Sequence, residues 1–217
     1  MLSIKFIIII CGLTLLIHYM IDNYSKKIPL NVDFEKVVLD IIQEKGLNVK
    51  LKIKEGLKAC YDYENKEISV SKGSSVKHLS EIFHELGHAI DDKQSEKKKF
   101  TIISTLLFYF FKYSLPLAVV LYIFQTQLYM YNLIIPTFVF ITASCFFFTV
   151  CLIEEIKASK IGYALIKQYL NLDNKILKKV RICLHNALNS YIVLFIFSIL
   201  LLVSQIINIV NYPHLLR

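Results

Sequence analysis

The hydrophobic and polar positions of this 217-residue chain form long uncharged blocks separated by two charged ones. Phe6 to Ile21 is an uncharged run between Lys5 and Asp22, the pattern of a signal peptide or of a first membrane helix. No small-x-small cleavage site follows, so the run reads as a retained anchor, slightly short for a bilayer, with Lys5 able to reach outward. From Phe100 onward the only charge before Glu154 is Lys112. The 41 residues from Tyr113 to Ile153 suit two crossings of about 20 residues joined near Asn132, with Phe100 to Phe111 at the interface. A longer helix starting near Thr101 and burying Lys112 is the alternative, and both give two crossings. Tyr191 to Val210, 20 residues without charge, reads as the last one.

Within residues 23–99 the period changes. Asp33 to Gln43 has helical spacing and Gly46 ends it. Leu47 to Ile53 alternates apolar and polar, as does Glu67 to Ser71, which predicts two short strands with a turn around Glu64-Asn65-Lys66. Val76, Leu79, Ile82, Phe83, Leu86 and Ile90 then recur three, four and seven apart. That spacing predicts an amphipathic helix of about 15 residues, capped by Ser74 or Ser75. Gly87 falls in its middle, where glycine costs about 1 kcal/mol against alanine. A close backbone approach by a neighbouring segment or a substrate would explain it.

Composition changes the picture in one respect. A hydrophobic content of 55%, a charged content of 19% and a mean hydropathy of +0.52 indicate a membrane protein. The net charge of +8 does not point to nucleic acid, because the lysines are interleaved with acids and no aromatic-basic recognition motif occurs. It reads as topology. Residues 21–100 carry 15 Lys and residues 154–189 carry seven Lys or Arg, against Lys5 and Arg217 on the other side. The positive-inside rule therefore places both charged blocks in the cytoplasm, with Lys97-Lys98-Lys99 marking a membrane boundary. The expected organisation is an N-terminal anchor (1–22), a cytoplasmic segment (23–99), a membrane hairpin (100–153), a second cytoplasmic segment (154–189) and a C-terminal transmembrane helix (190–212). Five cysteines at 11, 60, 145, 151 and 183 include no Cys-x-x-Cys and read as packing residues, and His18 reads as a helix-end residue.

The chemistry lies at Phe83-His84-Glu85-Leu86-Gly87-His88. Positions four apart lie about 40° apart around a helix, so His84 and His88 project from one face and can share one Zn²⁺. Glu85, one step round, can take a proton from the metal's water. Chance alone would produce His-Glu-x-x-His in a chain of this composition roughly 1% of the time. A catalytic zinc has three protein ligands and an open position, and this helix supplies two. Glu154 or Glu155, 66 or 67 residues after His88, is the natural third, on the same side of the membrane after two crossings. Tyr61, Tyr63, His78 and His185 are candidate oxyanion donors but read as core or surface residues. Asp91 and Asp92 read as a solvated helix end.

These residues carry a resemblance. His84-Glu85-Leu86-Gly87-His88-Ala89-Ile90 and Glu155-Ile156-Lys157-Ala158-Ser159 are similar to the two motifs of the YugP-like family of membrane-embedded neutral zinc metallopeptidases, and the latter resembles that family's Glu-x-x-Ala-Ser. Tyr61-Asp62 and Ile68 to Ser71 resemble the segment before the family's metal helix, and the order of segments along most of the chain matches. The resemblance implies Glu155 rather than Glu154 as the third ligand, and Ser159, four residues on, as a group that orients a ligand. The chain departs from the pattern at Lys157, Lys160, Ala59-Cys60 and Asp91.

The resulting expectation is a mainly α membrane protein of about four transmembrane helices with a small zincin-like α+β cytoplasmic segment. Its function would be that of a multi-pass cell-membrane zinc metallopeptidase, with Zn²⁺ on His84, His88 and Glu155 and Glu85 as general base. A peptide or membrane-protein substrate and the lipid bilayer are the expected partners. The competing reading is a catalytically silent scaffold or interaction protein with a structural or chance motif.

Overall fold

A computed structural model describes residues 4–56, 59–95, 102–127 and 133–211. The Lys97-Lys98-Lys99 boundary and the turn near Asn132 lie outside them. The described chain is mostly helical with one small sheet. Its elements are α1 (Ile4–Lys26), α2 (Phe34–Glu44), β1 (Lys50–Lys54), β2 (Cys60–Asp62), β3 (Glu67–Ser71), α3 (Val76–Ser95), α4 (Ile102–Gln127), α5 (Ile134–Tyr169) and α6 (Asn174–Asn211). Two compact units result: Met1–Leu15 with Lys99–Leu152 and Tyr191–Arg217, and Leu16–Lys98 with Ile153–Ser190.

The first unit is apolar inside and out. Leu115, Ala118, Tyr122, Ile141, Phe148 and Leu201 form its core, while Val120, Phe146, Ile196 and Val203 are exposed. Its buried polar groups pair across helices, as apolar surroundings require. Ser114 meets Ser144 at 2.9 Å, and the Gln205 amide donates to Gln125 Oε1 at 3.0 Å and to the Ile134 carbonyl at 3.1 Å. α4 runs unbroken past Lys112 and Pro116, with the Lys112 ammonium over the Tyr109 and Tyr113 rings. Among the described residues two helices, α5 and α6, are long and apolar enough to cross a membrane, against about four expected from hydropathy. The uncharged stretch of α1 spans 16 residues, short of the roughly 20 a crossing needs.

The second unit holds the sheet, in the order β1-β3-β2. β1 runs parallel to β3 with Lys50 opposite Glu67, and β2 runs antiparallel to it with Tyr61 opposite Ile68. β2 is absent from the two-strand expectation because three residues are too few for alternation to register. The turn at 64–66 therefore joins β2 to β3 rather than β1 to β3. Asp62 builds it, its Oδ1 accepting the backbone N–H groups of Glu64 and Asn65 at 2.9 Å while Lys66 takes φ 51°. Tyr61, Ile68 and Val70 share the buried face that meets α3, and α2, capped by Asp33 onto the Lys36 N–H, adds Phe34, Val38 and Ile41 to the same core. His18 is not a helix-end residue. It lies inside α1 and exchanges hydrogen bonds with Asn186 of α6, at 3.0 and 3.1 Å.

Candidate metal centre

Hydrophobic burial sets the rotation of α3. Val76, Leu79, Phe83 and Leu86 are fully enclosed, and Ser75 opens the helix with its hydroxyl against His78 Nδ1 at 2.7 Å. With that stripe fixed, His84, Glu85 and His88 fall on the adjoining face, and all three are buried. The His84 and His88 rings stand 4.8 Å apart, nearly perpendicular.

α5 completes the constellation. At Gly87 a Cβ would meet the Ala158 carbonyl oxygen at 2.2 Å, and at Gly162 one would meet the Phe83 carbonyl oxygen at 2.5 Å. The two helices thus touch backbone to backbone, and the neighbouring segment that Gly87 admits is α5. One turn before Ala158, Glu155 reaches the histidines: its Oε2 is 2.9 Å from His84 Nε2 and 3.7 Å from His88 Nε2. One ligand atom from each of the three residues lies within 4.8 Å of the others. A tetrahedral Zn²⁺ about 2.1 Å from each ligand would hold them about 3.4 Å apart, and the 2.9 and 3.7 Å from Glu155 Oε2 to the two imidazole nitrogens lie on either side of that figure. Two imidazole nitrogens with one carboxylate also suit zinc chemically.

The far nitrogens of both rings are occupied. His84 Nδ1 shares a hydrogen bond with Ser159 Oγ at 3.0 Å, and His88 Nδ1 shares one with Tyr63 Oη at 3.1 Å. Nε2 is therefore the nitrogen each ring turns toward Glu155.

Residues 1–210 match a family model described as "Putative neutral zinc metallopeptidase". The chain belongs to this family. No curated protein and no solved structure matches it.

Membership in the neutral zinc metallopeptidase family gives the three-residue cluster a zinc context, and the two carboxyls beside the histidines are shifted in opposite directions. Burial raises the Glu85 carboxyl to about 7, with the Glu155 charge adding to the rise and His84 and the Tyr61 backbone N–H drawing it back. Burial would raise Glu155 too, but the imidazoles of His84 and His88 more than offset it and hold it at about 2.

Other expected residues fall elsewhere. Asp91 and Asp92 are not a solvated helix end: both are buried, Asp91 in an ion pair with Lys157 and Asp92 in one with Lys66. The Tyr61 hydroxyl donates to Asp92 Oδ2 at 2.7 Å, and burial with that contact pushes its pKa above the usual phenol range. His78 faces Ser75, and His185 Nδ1 faces the Arg181 carbonyl at 2.7 Å. The partnership of Tyr63 with His88 escaped sequence reasoning. Its one signal is the alternation of Tyr61 and Tyr63, which sends both rings to one side of an extended segment.

Proposed function

We propose that this protein is a membrane-bound zinc metallopeptidase that hydrolyses peptide bonds at the cytoplasmic membrane surface, with His84, His88 and Glu155 holding the metal. The observation that carries the reading is the convergence of two imidazole Nε2 atoms and one carboxylate oxygen beside a buried glutamate. A structural zinc wants four protein ligands, and among the described residues the cluster contains three, which favours a catalytic role. A bound Zn²⁺ supplies Lewis acidity, polarising the scissile carbonyl and lowering the pKa of a water toward about 7.

The chain's own residues do the rest. Glu85 accepts the proton that the attacking water releases at its carboxylate as the carbon–oxygen bond forms. It then delivers that proton to the amide nitrogen as the carbon–nitrogen bond breaks. A carboxyl whose burial raises its proton affinity toward neutrality is suited to both transfers. His84 is kept in one orientation by Ser159 while this happens.

The membrane assignment rests on the length and hydropathy of α5 and α6, on the apolar side chains exposed along them, and on the lysines of residues 21–100. The substrates are peptides or membrane proteins presented at the bilayer. The reading is tested by zinc stoichiometry of the detergent-purified protein beside Glu155→Ala and Glu154→Ala. About one zinc per chain, lost with Glu155 and retained without Glu154, supports it; a metal-free wild type from zinc-replete cells removes it.

A further inference from the structure

Between β2 and β3 the chain passes Tyr63 directly behind His88. The hydroxyl lies 3.1 Å from Nδ1, and the rings meet edge-on with centroids 6.2 Å apart. That places the oxygen on the side of the imidazole opposite to the one Glu155 faces, so it is poorly placed to donate to a substrate carbonyl at the metal. It is well placed to hold the ring.

The position of Tyr63 is itself over-determined. Asp62, one residue before it, closes the turn through the Glu64 and Asn65 N–H groups, and its carboxylate also accepts from the Asn65 side chain at 2.7 Å. Lys66, at the end of the same turn, pairs with Asp92 of α3. Tyr61 donates to that same Asp92 oxygen and packs edge-on against the Tyr63 ring at 4.8 Å. The turn is thereby fastened to α3 one helical turn beyond His88, on the side that bears Tyr63.

We propose that Tyr63 is a positioning residue of the metal centre, whose hydroxyl accepts the Nδ1–H of His88 and so fixes the tautomer and ring plane that present Nε2 to the metal. The inference rests on the reading that His84, His88 and Glu155 bind Zn²⁺. It gives the two histidines different anchors, His84 on α5 through Ser159 and His88 on the β2–β3 turn through Tyr63. Loss of such a partner lowers metal affinity roughly 10- to 100-fold.

The test uses the full chain in detergent, with Zn²⁺ affinity measured by competition against a chromophoric chelator and Co²⁺ as a spectroscopic probe. Tyr63→Phe removes one oxygen and keeps the ring. It should still bind about one metal per chain, with affinity reduced roughly 10- to 100-fold and a shifted Co²⁺ visible spectrum. Tyr169→Phe, whose hydroxyl meets Glu44 on the surface, should match the wild type. Wild-type affinity and an unchanged spectrum in Tyr63→Phe would overturn the role of Tyr63 and leave the metal site standing. A wild type that binds neither ion would overturn both. Another readout needs no variant: in the zinc-loaded wild type with ¹⁵N-labelled histidine, the Nδ1–H signals of His84 and His88 should exchange slowly with water, and rapid exchange at His88 would overturn the proposal.

Discussion

Gly87 of α3 and Ala158 of α5 are in backbone contact, so close that a Cβ on Gly87 would stand 2.2 Å from the Ala158 carbonyl oxygen. The contact lies three residues after His84 on one helix and three residues after Glu155 on the other. His84 and Glu155 therefore face each other one turn away from the tightest point of the interface. Gly162 repeats the arrangement in reverse, against Phe83.

Gly87→Ala is the direct test of that geometry. On an open helix the change would gain about 1 kcal/mol from helix propensity. Here the new methyl meets backbone that cannot rotate away, and overpacking of this kind costs about 1–3 kcal/mol. The expected result is a lower melting temperature together with weaker zinc binding, because separating the helices carries Glu155 away from His84. A variant more stable than the wild type, with unchanged zinc affinity, would show that the helices do not meet in this way.

Replacing Glu85 should separate metal binding from turnover. Its carboxylate is buried, receives the Tyr61 backbone N–H and is not among the three converging side chains. Glu85→Gln keeps the shape and loses the base. The protein should hold zinc at wild-type stoichiometry while peptide hydrolysis falls by about 10²–10⁴-fold or more. Full activity in this variant would sink the assignment of Glu85 as the proton carrier.

Much of this centre was legible in the sequence because helical spacing is local information. His84, Glu85 and His88 need only a helix to stand as they do, and the apolar stripe from Val76 to Ile90 announces both the helix and its buried face. Glu155 is 67 residues from His88, and nothing in periodicity separates it from Glu154; a one-residue shift turns the side chain by about 100°. Resemblance to a motif favours Glu155, and the structure brings that residue to the histidines. What spacing does not carry is pairing between distant segments. β2 is too short to show a period, and its place beside β3 depends on the Asp62 turn. The burial of Asp91 and Asp92 depends on Lys157 and Lys66, which arrive from α5 and from the β2–β3 turn.

Lys157 and Asp91 are both positions where the chain departs from the pattern its family resemblance suggests, and they are partners. Their ion pair joins α5 to α3 beside the ligands, with Asp91 buried and Lys157 half exposed. Solvent access to the lysine limits its worth to about 1 kcal/mol. In a double-mutant cycle of Asp91→Asn and Lys157→Met, read by denaturant unfolding, the coupling should be about 0.5–1 kcal/mol. Strictly additive single changes would mean that the two side chains do not support each other.

Zinc removal should lower stability without unfolding the helix that carries the site. α3 is anchored by Leu79, Phe83 and Leu86 in a core that includes α2, the sheet and α5, none of which requires a metal. The Glu155 carboxylate already has the His84 imidazole at 2.9 Å, so a stripped centre keeps an internal partner for its charge. Chelation should therefore leave the far-ultraviolet circular dichroism unchanged while the melting temperature falls. Restoring free Zn²⁺ to 100 times its Kd should return about 2.7 kcal/mol of stability. Glu155→Ala should lose most of that zinc-dependent gain, since two histidines alone hold the ion weakly. Collapse of helical signal on chelation would instead make the zinc a folding element, and the three-ligand centre would then be a structural site rather than a catalytic one.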